Sequence, residues 1–168
     1  MATRIKWKNK DKYKAFLSEG KNYKAWLVKA NSLATAADKT NWLISGNEGL
    51  ASTHNMLMGM AIECLLKASL IVKGKDVVVE RSGNLYFAKE FKSHKLDQLA
   101  IMLEQDGLTF LDEEKSLLSK LSIYIESGAR YPIPLAHSGF EPLGTSDKEH
   151  DTAVRIYKKI LAFVVTHG

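Results

Sequence analysis

The stretch Asn55-Met-Leu-Met-Gly-Met-Ala-Ile-Glu-Cys-Leu-Leu-Lys-Ala-Ser-Leu-Ile-Val-Lys73 decides the fold of this chain. Asn55, Gly59, Glu63 and Lys67 recur every four positions in an otherwise apolar run. On an α-helix, positions four apart drift by only about 40° around the axis, so these residues form one narrow stripe. The remaining circumference is apolar, and we expect neighbouring helices of an all-α bundle to surround it.

Glu63 and Lys67 stand four positions apart with the acid first, which is the favoured order for a helical ion pair. An exposed pair of this kind stabilises a helix by only about 0.2–0.5 kcal/mol. Because stability alone explains the pair poorly, we treat Glu63 and Lys67 as candidate binding residues.

The composition is that of a soluble globular domain. The chain has 168 residues, of which 45% are hydrophobic and 26% charged, so residues 1–168 fit a single domain. No apolar run reaches the roughly 18–20 uninterrupted residues that cross a bilayer, and the first residues lack the apolar core of a secretion signal. We expect a cytoplasmic protein with no membrane partner, and an inert buried thiol at the single cysteine, Cys64.

Positive charge is concentrated at the N-terminus. The net charge is +5, but residues 1–30 contain nine Lys and Arg against Asp11 and Glu19, a local excess of +7. In the basic arm over residues 1–10, cations such as Lys6 and Lys8 alternate with apolar and aromatic residues. This mixture suits RNA, because ammonium groups meet phosphates and aromatic rings stack on bases. The alternative is a solvated arm or helix face with anchoring aromatics.

Helical spacing predicts most of the remaining elements. Residues 11–38 form a first helix with an interruption near Gly20, which leaves one long helix or two short ones open. The central helix starts at a Ser52 or Thr53 cap and stops at Gly74. Three further helices are expected over 93–106, from 109–112 to 128, and from 146 towards the C-terminus.

Two segments break the helical pattern. Val77–Val79 and Leu85–Phe87 flank a Gly-Asn turn and predict a small β-hairpin inserted near residues 77–87. Residues 128–145 contain all three prolines and have no helical prospect, and long loops of this kind are often functional.

The sequence offers no standard cofactor or metal motif. There is no Cys pair and no histidine pair at helical metal-binding spacing, and Glu149-His150-Asp151 lies at a helix start where polar residues are expected anyway. Glycine-rich phosphate loops and a Gly-x-Ser-x-Gly elbow are also missing. We therefore expect no metal and no cofactor, a capping or surface role for His54, and a structural role for His94.

Three short motifs carry a family resemblance. They are Ala61-Ile-Glu-Cys-Leu-Leu-Lys-Ala68, Ser93-His-Lys-Leu-Asp-Gln-Leu99 and Ile125-Glu-Ser-Gly-Ala-Arg-Tyr-Pro132. In their order along the chain, over about residues 11–165, they resemble the HEPN family of helical domains. The resemblance implies an up-and-down bundle of four to five helices, a homodimer, and a setting in stress response, phage defence, RNA processing or toxin–antitoxin pairs.

The resemblance also implies candidate catalytic residues. Active HEPN members carry an arginine followed after four to six residues by a histidine, and this chain has Arg130 and His137 with six residues between them. In a metal-independent endoribonuclease, Arg130 would hold the scissile phosphate and His137 would move a proton. However, Tyr131 replaces the usual small polar residue, and Pro132 and Pro134 favour an extended chain that turns the pair to opposite sides.

Two functions are therefore compatible with the sequence. The first is a non-catalytic HEPN-like homodimer that binds RNA, a nucleotide or a partner protein near Glu63, Lys67, Arg130 and Tyr131, aided by the basic arm. The second is an endoribonuclease that uses Arg130 and His137 at a dimer interface. Either one is compatible with a toxin-like or defence protein that an antitoxin-like partner neutralises.

Overall fold

Six α-helices and one β-hairpin make up the part of the chain that the computed structural model describes, residues 10–41, 48–81, 84–128 and 147–168. A 3₁₀ turn (Lys89–Phe91) precedes the fourth helix and a π-helical turn (Tyr124–Gly128) follows the fifth. In chain order the elements are α1 (Lys10–Lys21), α2 (Tyr23–Asn41), α3 (Glu48–Val72), β1 (Val78–Arg81), β2 (Asn84–Phe87), α4 (Leu96–Glu104), α5 (Asp112–Ile123) and α6 (Asp147–His167). The all-α bundle with a small hairpin is confirmed.

Helix α3 lies at the centre of the bundle. Helices α2, α4, α5 and α6 and the π-helical turn all pack against it, as its apolar circumference predicts. Its buried apolar residues are Met58, Ala61, Ile62, Leu65, Leu66, Ala68 and Leu70. The Leu50–Val72 segment is long and apolar enough to span a membrane by length and composition, but 67% of its most apolar window is buried inside the fold, as in the core helix of a soluble protein.

The two ends of α3 compare differently with the sequence prediction. Gly74 ends the helix as expected: its φ is +79°, and the Lys75 N–H donates to the Leu70 carbonyl at 2.9 Å. The predicted start was wrong, because α3 begins at Glu48 and places Ser52 and Thr53 inside the helix. Serine and threonine are tolerated in helix interiors, so a possible capping residue is a weak boundary signal.

The predicted interruption near Gly20 is confirmed at Asn22, which separates α1 from α2. The Lys24 N–H donates to Asn22 Oδ1 at 3.0 Å and caps the start of α2, while Trp26 Nε1 donates to the Gly20 carbonyl at 3.0 Å. A Cβ atom at Gly20 would lie 2.9 Å from Val78 Cγ2. Glycine therefore allows α1 to approach β1 closely.

The hairpin pairs Val78 with Phe87 and Arg81 with Asn84 in an antiparallel register. Asn84 therefore belongs to β2, although the sequence placed it in the turn. Val78 is buried and Phe87 is partly exposed, so β2 ends beside the core with an aromatic ring at the surface.

Helices α4 and α5 bury the predicted faces. In α4 these residues are Leu96, Leu99, Ala100 and Leu103, and in α5 and its π-helical turn they are Leu117, Leu118, Leu121, Tyr124 and Ile125. Helix α4 begins at Leu96, slightly later than predicted, and its first backbone N–H donates to the Ser122 hydroxyl of α5 at 2.8 Å.

Close packing at Gly59 generates a stability prediction. A Cβ atom there would lie 3.0 Å from Ile125 Cγ1, so we expect Gly59→Val to overpack the contact between α3 and the π-helical turn. Overpacking of this kind costs about 1–3 kcal/mol. The free energy of unfolding, measured by urea denaturation, should fall accordingly. The double variant Gly59→Val, Ile125→Ala should lose less unfolding free energy than the sum of the losses in the two single variants, and strict additivity would contradict the contact.

Candidate functional site

Glu63 and Lys67, the polar pair singled out in the sequence, form a buried ion pair. Glu63 is 8% exposed and Lys67 is 3% exposed, and Lys67 Nζ lies 2.5 Å from Glu63 Oε1. The stripe of polar residues on α3 is therefore covered by neighbouring elements at these positions. Charges in such a place need further partners, because removing an ion from water is costly.

His94 supplies the second partner of Glu63. Its Nδ1 atom lies 3.0 Å from Glu63 Oε2, and its side chain is 44% exposed. Burial alone would raise the pKa of Glu63, but the hydrogen bond from His94 and the positive charge of Lys67 outweigh it and lower that pKa overall. Glu63 is thus a carboxylate held between an imidazole and an ammonium group.

Two aromatic rings complete the surroundings of Lys67. Its Nζ lies 4.9 Å from the ring centroid of Phe87 and 5.7 Å from that of Trp26, which are cation–π distances. The two rings meet edge to face at 6.2 Å. We call Glu63, Lys67, His94, Trp26 and Phe87 the Glu63 cluster. Phe87 is 43% exposed, so the cluster reaches the surface through this ring and through the imidazole of His94.

Exposed lysines occupy the elements beside the Glu63 cluster. Helix α1 packs against the hairpin strand β1, and α2 contributes Trp26. The exposed cations on these two helices, up to residue 30, are Lys12, Lys14, Lys21, Lys24 and Lys29, against the exposed acids Asp11 and Glu19. The positive excess predicted for the N-terminal region therefore continues onto described, solvent-facing helices.

A second charged cluster ties α5 to α6. The fully buried Glu114 accepts hydrogen bonds from the Leu111 N–H at 2.9 Å and from Lys159 Nζ at 2.5 Å. It also accepts one from Arg155 Nε at 3.3 Å. Because each Glu114 oxygen is engaged by the protein's own groups, we assign this cluster to structure.

A histidine pair joins the starts of α3 and α6. His54 is 2% exposed, which overturns the predicted capping or surface role, and its Nδ1 lies 2.8 Å from the Ala37 carbonyl oxygen. A carbonyl only accepts, so Nδ1 bears the proton and Nε2 of neutral His54 has a lone pair. That Nε2 lies 3.3 Å from His150 Nδ1. Burial is the main cause that lowers the pKa of His54.

Several sequence-derived candidates lie outside the described residues. These are Arg130, Tyr131 and His137 in the proline-containing loop, and Lys6 and Lys8 in the N-terminal arm. Their roles stay predictions. The structure adds His94, Trp26 and Phe87 to the site, which sequence reasoning missed because no local spacing links them to α3.

Other chemistry finds little support in the described part of the chain. No group of three or more His, Cys, Asp and Glu side chains is arranged there to hold a metal ion. Burial raises the pKa of the partly buried Cys64 thiol to about 11, so the thiol is protonated at neutral pH.

Comparisons with protein-family models, curated proteins and solved structures found no match for this chain.

The lowered pKa of Glu63 gives a pH-dependent prediction. The Glu63 carboxylate stabilises the fold above its unfolded-state pKa of about 4.5, and this contribution is lost as the pH falls through the still lower folded-state value. Glu63→Gln leaves Lys67 buried without its counter-ion, so we expect a loss of about 3 kcal/mol in unfolding free energy at pH 7. The difference in unfolding free energy between Glu63→Gln and the wild type should shrink below about pH 4.5.

Denaturation measured from pH 7 to pH 3 checks this expectation. Glu19→Gln is the matched control, because Glu19 is exposed on α1 and should change stability by no more than about 0.5 kcal/mol. A Glu63→Gln deficit that stays constant across this pH range would contradict the assignment.

Proposed function

We propose that this protein is a non-catalytic, homodimeric RNA-binding domain. Its RNA-binding surface comprises the exposed lysines of α1 and of the first part of α2, up to residue 30, and the ring of Phe87. The observation that supports this most is the placement of a partly exposed aromatic ring on the hairpin next to the two helices that bear the positive excess. Lysines bind phosphates irrespective of sequence, and an exposed ring accepts a stacked base.

The Glu63 cluster serves this surface by positioning Phe87. The Lys67 ammonium faces the Phe87 ring, and Glu63, which is itself bonded to His94, holds the charge of Lys67 in place. A ring fixed in this way loses little freedom when a base stacks on it. This explains why an ion pair is retained on an otherwise apolar helix.

The dimer and the biological setting rest on the HEPN resemblance. Under this proposal, the basic arm with Lys6 and Lys8 extends the RNA contacts, and Arg130 and Tyr131 add to the binding surface. An antitoxin-like protein partner fits the same setting.

Salt-dependent RNA binding tests the proposal. We expect the triple variant Lys14→Gln, Lys24→Gln, Lys29→Gln to bind single-stranded RNA at least about tenfold more weakly at low salt. The slope of log K against log salt should flatten by about 0.7 for each phosphate that the variant no longer neutralises. Phe87→Leu should weaken binding by about 1–3 kcal/mol, because the base has no ring to stack on, while leaving that slope unchanged.

The control is the triple variant Lys39→Gln, Lys148→Gln, Lys158→Gln, which makes the same charge change at exposed positions on the end of α2 and on α6. Fluorescence anisotropy with a labelled RNA measures all variants. Equal losses of RNA affinity in both triple variants would mean that only net charge matters, which would contradict a defined RNA-binding surface. Cleavage of the RNA in chelator, abolished by His137→Ala, would replace the proposal with the endoribonuclease alternative.

A further inference from the structure

We propose that His54 and His150 form a binding site for a divalent transition-metal ion such as Zn²⁺. The site is separate from the Glu63 cluster and does not depend on the proposed RNA-binding function. It joins α3 to α6 through two imidazole nitrogens, with water in the remaining coordination positions.

The distances between the two rings match shared coordination of one ion. Two imidazole nitrogens bound at 2.0–2.1 Å to a tetrahedral zinc ion lie about 3.3–3.4 Å apart, with ring centres about 5.2 Å apart. His54 Nε2 and His150 Nδ1 are 3.3 Å apart, and the ring centroids are 5.3 Å apart. The nitrogen separation is also longer than the usual range of about 2.7–3.2 Å for a hydrogen bond donated by N–H.

The hydrogen bond to Ala37 prepares His54 as a ligand. Metal-bound histidines commonly donate the other ring N–H to a backbone carbonyl, which fixes the tautomer and the ring orientation. His54 Nδ1 donates to the carbonyl oxygen of Ala37, in the last part of α2, at 2.8 Å, and His54 is 2% exposed. Its Nε2 is therefore held in one direction. Binding an ion replaces the proton on His150 Nδ1, which moves to Nε2 of that ring or to water.

The two donor atoms of the site are both imidazole nitrogens. Nitrogen ligands favour zinc, nickel and copper over magnesium and calcium, so we assign the site to the first group.

Sequence reasoning predicted no metal site because closely spaced ligands are missing from the chain. His54 and His150 are 96 positions apart, and only the packing of α3 against α6 brings them together.

Zinc titration of the full chain, untagged and freed of metal by chelation, tests the site. Isothermal titration calorimetry with ZnCl₂ should show one ion bound per chain. Thermal denaturation with ZnCl₂ should show a raised Tm. His150→Ala should weaken zinc binding at least about tenfold, because only one of the two protein ligands remains. His54→Asn should do the same, although its amide N–H can still donate to the Ala37 carbonyl.

His167→Ala is the matched control. His167 lies at the other end of α6, and its Nδ1 is also bonded to a backbone carbonyl, that of Phe163, at 2.8 Å. This variant should bind zinc like the wild type. The proposal is overturned if the wild type takes up no zinc, or if zinc affinity is unchanged in folded His150→Ala, with folding checked by circular dichroism.

Discussion

The Glu63–Lys67 ion pair, buried where α3 meets its neighbours, constrains how the bundle packs. Two charges taken out of water destabilise a protein unless they are closely paired and further solvated by polar or aromatic groups. Here the further groups come from α2, from β2 and from the segment before α4, as Trp26, Phe87 and His94. Satisfying the pair therefore requires these elements to meet at the middle of α3, and the same packing buries the apolar circumference of that helix.

Elements governed by local pattern could be predicted from the sequence. The apolar circumference of α3, its Gly74 stop and the break near Gly20 follow from periodicity and from backbone preferences that act within a few residues. The surroundings of Glu63 could not, because Trp26, Phe87 and His94 lie in other elements and no spacing rule connects them. Glu114 illustrates the same limit, since in the sequence it is one of three acids in the first turn of α5, yet in the structure it is fully buried under two cations.

The three buried polar clusters differ in what they leave available. Glu114 uses both carboxylate oxygens on neighbouring groups and serves to fasten α5 to α6. The Glu63 cluster is satisfied inside but exposes the Phe87 ring and part of the His94 imidazole at the surface. In the His54–His150 pair, the Nε2 lone pair of His54 faces Nδ1 of His150, an arrangement that suits a metal ion. What each cluster leaves available, an exposed ring at the Glu63 cluster or a ring-nitrogen lone pair at the histidine pair, separates the binding candidates from the structural cluster.

Native-state hydrogen exchange tests the central role of α3 most directly. If α3 organises the bundle, its amides between Met58 and Leu70 exchange only through global unfolding, with an opening free energy equal to that from urea denaturation. Amides of α1 should exchange with much smaller opening free energies, since among the described elements α1 packs mainly against α2 and β1. Exchange of the α3 amides at rates like those of α1 would contradict a fold built around this helix.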